Sequence, residues 1–104
     1  MNAVISVNGS TPAYLYQIAQ YFIAYAVKQG IEEEVALRLF AQTMIGSAKM
    51  MTDSGSSLEE LIRMVSSKGG TTIAGLESFR EDGLEKMIEK ACNCCTKRAE
   101  ELAK

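Results

Sequence analysis

The chain has 104 residues, 47% of them hydrophobic and 23% charged, with a formal net charge of -2 at pH 7. That length supports one domain over residues 1–104 with a modest core, and the near-neutral balance leaves no basic stripe for nucleic acid. Histidine is absent, which removes the commonest general acid–base and the commonest zinc ligand, so any chemistry falls to hydroxyls, backbone dipoles, carboxylates, lysines or a partner's groups.

The segment from Asn2 to Thr11 alternates loosely through Val4, Ile5 and Val7 and predicts a short extended lead-in. It ends in a helix start, with Ser10 or Thr11 as cap and Pro12 at the first helical position. That start is a second, weaker candidate for a ligand site. The first helix is predicted from about Pro12 to Gln29, stopped by Gly30. Its apolar positions run almost all round, from Tyr14 and Leu15 through Ile18, Tyr21, Phe22, Ile23 and Tyr25 to Val27. The run is too short to cross a bilayer and is interrupted by Gln17 and Gln20, so no membrane partner is expected. A helix apolar on every side is buried on every side, and a domain this small lacks the material to cover it. It therefore reads as an oligomer element, with a central core helix of a monomer as the alternative.

The second helix begins near Ile31 or Glu32 and ends near Asp53 to Gly55. Glu32, Glu33 and Glu34 fall in its first turn, where the macrodipole favours negative charge, and they read as a solvated start rather than a cation site. Leu37, Phe40, Ala41, Met44, Ile45, Ala48 and Met51 follow at three- and four-residue steps. The methionines read as gap-filling core. Ser56 or Ser57 caps the third helix, and a serine followed three residues on by glutamate is a capping box. Leu58, Leu61, Ile62 and Val65 form its apolar side. The fourth helix is predicted from about Thr71 to Arg80 and is broken by Glu81-Asp82-Gly83.

The fifth helix, from about Leu84 to Leu102, is amphipathic, with Leu84, Met87, Ile88, Ala91, Cys92, Cys95, Ala99 and Leu102 on one face. Cys94 lies about 200° around the helix from Cys92, so the three thiols cannot close on one metal without unwinding it. They read as small packing residues, and no metal site is expected. Their odd number and tight clustering point to a reducing, cytoplasmic setting rather than a disulfide framework, and no signal peptide is expected. The pattern as a whole is all-α, with about five helices. No G-x-G-x-x-G follows a predicted strand, so the cofactor-binding residues of any dinucleotide enzyme would lie outside this chain.

One stretch is built to hold a ligand: Ser66-Ser67-Lys68-Gly69-Gly70-Thr71-Thr72-Ile73-Ala74-Gly75-Leu76. The serines offer hydroxyls, Gly69 and Gly70 let the main chain approach a bound group and can adopt positive φ, and Thr71 or Thr72 can cap the helix that follows. Free N–H groups and the positive end of the macrodipole converge there, which suits a carboxylate or phosphate. An ordinary capped turn is the competing reading.

The order of motifs resembles, over nearly the whole chain, the C-terminal all-helical domain of pyrroline-5-carboxylate reductase. The stretches that carry it are Gly9-Ser10-Thr11-Pro12-Ala13-Tyr14, Ala36-Leu37-Arg38-Leu39, Ala41-Gln42-Thr43 with Gly46 and Ala48-Lys49-Met50, Ser67 to Leu76, and Thr96-Lys97-Arg98 with Glu101-Leu102. The resemblance implies an interlocked helical homodimer, with a higher oligomer left open, detached here from an N-terminal Rossmann domain. It implies proline biosynthesis: 1-pyrroline-5-carboxylate is reduced to L-proline with NADP or NAD as cofactor in the full-length enzyme, and none is bound by this fragment. Carried over by position, Ser67, Gly69, Gly70, Thr71 and Thr72 are the substrate contacts, the turn holding its carboxylate, and Thr72 is the hydroxyl to reach the ring nitrogen. The chain departs from the family at Lys68, where proline is usual, at Thr11, where glycine is usual, and at Ser57-Leu58, which replace a histidine–proline pair. Cys92 to Cys95 stand where small residues are common.

The expectation is therefore an all-α dimerisation and substrate-binding domain of such a reductase, inactive alone. The alternative is a stand-alone, non-catalytic helical dimer that binds a small carboxylate. A thiol-based metal or redox protein is a third reading.

Overall fold

The structure, a computed structural model, describes residues 2–66 and 70–103. The described residues are helical, with no strand among them, in the order α1 (Asn2–Val4), a π-helical turn (Ile5–Gly9), α2 (Thr11–Lys28), α3 (Glu33–Asp53), α4 (Leu58–Ser66), α5 (Gly70–Glu81) and α6 (Leu84–Leu102). The five predicted helices are α2 to α6, with ends displaced by one or two residues, which is the ordinary uncertainty of a helix boundary. By contact the chain divides into two compact units, residues 1–16 with 74–104, and residues 17–73.

Within the unit 17–73, α2 ends in a Schellman motif. Gly30 takes φ 95°, its N–H bonds the Val27 carbonyl at 3.0 Å, and the Ile31 N–H bonds the Ala26 carbonyl at 3.1 Å. Those two bonds satisfy carbonyls that the end of a helix would otherwise leave bare. The turn brings Phe22 of α2 against Phe40 of α3, with ring centroids 5.2 Å apart and planes tilted by 34°. Ala36 is the buried hydrophobic of the described residues, at 6% exposure. At the start of α4, the Ser57 N–H donates to Glu60 Oε1 at 2.8 Å while the Glu60 N–H donates to Ser57 Oγ at 3.1 Å. This is the reciprocal capping box that the Ser57-to-Glu60 spacing predicts.

In the other unit, α1 and the π-helical turn pack on α6. The predicted extended lead-in is therefore corrected: Asn2 to Gly9 is helical. Val4, Ile5 and Val7 favour strand only weakly, on a scale of about 1 kcal/mol that changes with context, and packing against α6 decides the conformation. The lead-in closes with the Ser10 N–H bonded to the Ile5 carbonyl at 2.7 Å, a five-residue step that marks it as π-helical. At the start of α6, Gly83 takes φ 77°, as the break at Glu81-Asp82-Gly83 predicts.

The apolar residues are conspicuously uncovered. No residue of α2 is buried, and Tyr21 and Tyr25 are 66% and 65% exposed. Leu58, Ile62 and Val65, the apolar side of α4, are also exposed. In α6, Cys92 and Cys95 are half-buried and Cys94 is exposed, which is the angular separation read from the sequence.

Candidate functional site

The site expected from the sequence is the turn from α4 into α5. Ser67, Lys68 and Gly69 lie outside the described residues. Gly70, Thr71 and Thr72 are the first three residues of α5, with Gly70 and Thr71 exposed and Thr72 half-buried. The two threonines thus sit inside the helix, not at its cap as expected. Gly70 is helical, not one of the positive-φ glycines, which are Gly30, Gly55 and Gly83 among the described residues. A Cβ on Gly70 would meet nothing within 4 Å, so a ligand has room to reach the main chain. Residues at the first turn of a helix have N–H groups without intrahelical acceptors, and Gly70 to Thr72 open α5.

Ser66 does not serve the site as expected. Its Oγ donates to the Ile62 carbonyl at 2.6 Å, and the residue is the buried polar group of the described chain, at 9% exposure. The hydroxyl is committed to the last turn of its own helix. Ser66 anchors the end of α4 from which the turn departs, a role that spacing does not reveal.

The helix starts separate into two kinds. α3, α4 and α6 carry glutamate in the first turn: Glu33 and Glu34, Glu59 and Glu60, and Glu85. α2 and α5 carry none. Their positive dipole ends meet no acidic residue of their own first turn, and both starts are candidate ligand sites in the sequence.

The start of α2 has its own polar cluster. Ser10 Oγ and Cys95 Sγ are hydrogen-bonded at 3.2 Å. The Tyr14 phenol is held above its ordinary value of 10.0, first by its hydrogen bond with Cys95 and then by desolvation, against a smaller opposing bond with Ser10. The phenol therefore stays neutral over the physiological range. A groove of about 670 Å³ opens beside this cluster, lined by Ile5, Tyr14, Cys95, Arg98, Ala99, Leu102 and Ala103. Sequence reasoning missed the cluster, because nothing in local spacing ties Ser10 to a residue 85 positions away.

Helices this uncovered define a class: an all-α domain whose apolar faces are left for another surface to cover. Comparison with known proteins gives the family. The chain matches the pyrroline-5-carboxylate reductase dimerisation family over residues 1–102, and it belongs to that family. It is 40% identical over 103 residues to the pyrroline-5-carboxylate reductase of Pseudomonas aeruginosa, covering 99% of this chain and 38% of that protein. It is 38% identical over 104 residues to that of Methanosarcina acetivorans, covering 100% of this chain and 38% of the relative. Among solved structures, the Plasmodium falciparum pyrroline carboxylate reductase with NADP bound superimposes with a TM-score of 0.93 at 26% identity, covering 100% of this chain and 40% of that one. The 1-pyrroline-5-carboxylate reductase of Streptococcus pyogenes gives 0.91 at 32% identity, covering 96% and 39%. The chain thus spans about two fifths of the length of the reductases it matches. No helix of the described residues is long and apolar enough to cross a membrane.

Proposed function

We propose that this chain is the dimerisation and substrate-binding part of a reductase that converts 1-pyrroline-5-carboxylate to L-proline, with NADP(H) or NAD(H) held by a separate domain. The observation that supports it is the start of α5: a helix with no acidic residue in its first turn, open space beside Gly70, and two threonines behind it. In the proposed complex the substrate carboxylate sits on the N–H groups of that first turn, with Ser67 and Gly69 completing the contact. Thr72 is the hydroxyl that reaches the ring nitrogen and orients the imine. The nicotinamide, when present, supplies the hydride that adds to the imine carbon.

The affinity of the isolated chain is bounded by arithmetic. Two or three charge-assisted hydrogen bonds contribute about 1.5–3 kcal/mol each, and immobilising the ligand costs much of that. The expected result is about millimolar binding. The test is an NMR titration of this chain with L-proline. Amide resonances of Gly70, Thr71 and Thr72 should move together, and Thr72→Val should leave carboxylate binding in place. In a complete reductase carrying these residues, the same substitution should lower kcat. A titration that leaves the α5 start unmoved while another surface responds would overturn the assignment. The chain alone, given NADPH and substrate, should turn over nothing.

A further inference from the structure

Ser10 is the joint between two helical segments. Its N–H ends the π-helical turn on the Ile5 carbonyl at 2.7 Å, and its own carbonyl receives the Ala13 and Tyr14 N–H groups at 3.1 and 3.4 Å. The side chain of the same residue meets the Cys95 thiol at 3.2 Å, with either atom able to donate. Tyr14, one turn into α2, lines the same groove as Cys95. Three side chains from two ends of the sequence therefore converge on the first turn of α2, all within the unit formed by residues 1–16 and 74–104.

A cysteine on the inner face of an amphipathic helix is ordinarily a small apolar filler. The arrangement around Cys95 differs, because its sulfur meets the Ser10 hydroxyl at 3.2 Å. The groove beside it, about 670 Å³ and lined by Ile5, Tyr14, Arg98 and Leu102 among others, leaves the site loosely packed.

We propose that Cys95 is a positioning residue, one that fixes the first turn of α2 through its hydrogen bond with Ser10. That turn carries no acidic residue, so its placement sets where the positive end of the α2 dipole points. This consequence for ligand binding rests on the reductase reading above; the anchoring itself does not.

The test separates hydrogen bonding from space filling by three substitutions in this chain. Cys95→Ser keeps a group that can bond Ser10, a hydroxyl in place of the thiol, but loses volume. Cys95→Val keeps bulk and loses the bond, and Cys95→Ala loses both. Amide hydrogen exchange is read at Ala13 and Tyr14, with the amides of α3 as the reference for global stability. Exchange at Ala13 and Tyr14 should quicken roughly tenfold in Cys95→Val and Cys95→Ala, as expected for one lost neutral hydrogen bond. It should stay near the unsubstituted rate in Cys95→Ser, and α3 should be unchanged throughout. Protection kept by valine and lost by serine would overturn the proposal, as would equal acceleration in α3. In a complete reductase with these residues, Cys95→Val should raise a KM with kcat held. Unaltered kinetics beside quickened local exchange would sink the ligand consequence and leave the anchor standing.

Discussion

At the scale of single residues, the capping box of α4 is the clearest case of chemistry that can be written from spacing. Glu60 titrates below its ordinary value of 4.5, first because the Ser57 N–H bonds its carboxylate and then because of the Ser57 hydroxyl. A carboxyl depressed by folding stabilises the native state above its unfolded value, and the contribution is lost as pH falls through the lower folded value. Stability should therefore weaken on acidification below about pH 4.5, partly through this pair. Denaturant melts at pH 7 and pH 3 should show a smaller acid loss in Glu60→Gln, whose amide oxygen can still accept from Ser57 at either pH. Ser57→Ala should cost about 1 kcal/mol at pH 7. An acid loss identical in Glu60→Gln and the unsubstituted chain would show that the box does not hold in solution. The contrast with Ser66 is instructive. Both are serines beside a helix end, but one hydroxyl caps the next helix and the other turns back onto the Ile62 carbonyl. No difference in residue type announces that choice, which depends on the backbone already being in place.

At the scale of elements, turn chemistry was readable and the lead-in was not. Gly30 and Gly83 both adopt positive φ, as their positions after apolar periodic runs require. Gly83 gives a sharp test, because a Cβ there would meet nothing within 4 Å. Any cost of Gly83→Ala is thus conformational, about 1–2 kcal/mol for an alanine in the left-handed region. Gly83→Asn should lose less, since asparagine tolerates that region and can bond the following backbone. Urea melts of the two variants check it, and equal losses would mean that φ is not the determinant. The lead-in failed for the opposite reason. Val4, Ile5 and Val7 read as alternation over too few residues to separate strand from helix, and α6, whose packing decides the matter, lies at the far end of the chain. The start of α5 was legible in type and position, with Gly70, Thr71 and Thr72 opening the helix. Which residue caps it was not, because threonine suits the cap and the first turn alike.

At the scale of the whole molecule, the exposed apolar faces carry the argument. Exposed apolar surface in a soluble protein is normally dispersed, and larger contiguous patches mark interaction sites. Here Ile18, Tyr21, Phe22 and Tyr25 recur on one side of α2, each exposed, and Leu58, Ile62 and Val65 do the same on α4. Membership of a dimerisation family makes a second copy the expected cover for such faces, and interfaces of permanent homodimers resemble a domain core divided between two chains. Folding and association should then be one equilibrium, so stability depends on protein concentration. Each tenfold rise in concentration should add about 1.4 kcal/mol per mole of dimer, seen as a Tm that climbs with concentration and a sedimentation coefficient that never falls to the monomer's before unfolding. Tyr21→Lys with Tyr25→Lys sharpens the point. On a monomer these positions are already in water, and surface changes there cost no more than about 0.5 kcal/mol each. In a dimer the same change places charge in the apolar seam, and the penalty for burying it unpaired runs to several kcal/mol. The double variant should therefore unfold at concentrations where the parent chain is stable. A Tm indifferent to concentration, with the double lysine variant as stable as the parent, would mean that these faces stay in water and that no second copy is needed to complete the fold.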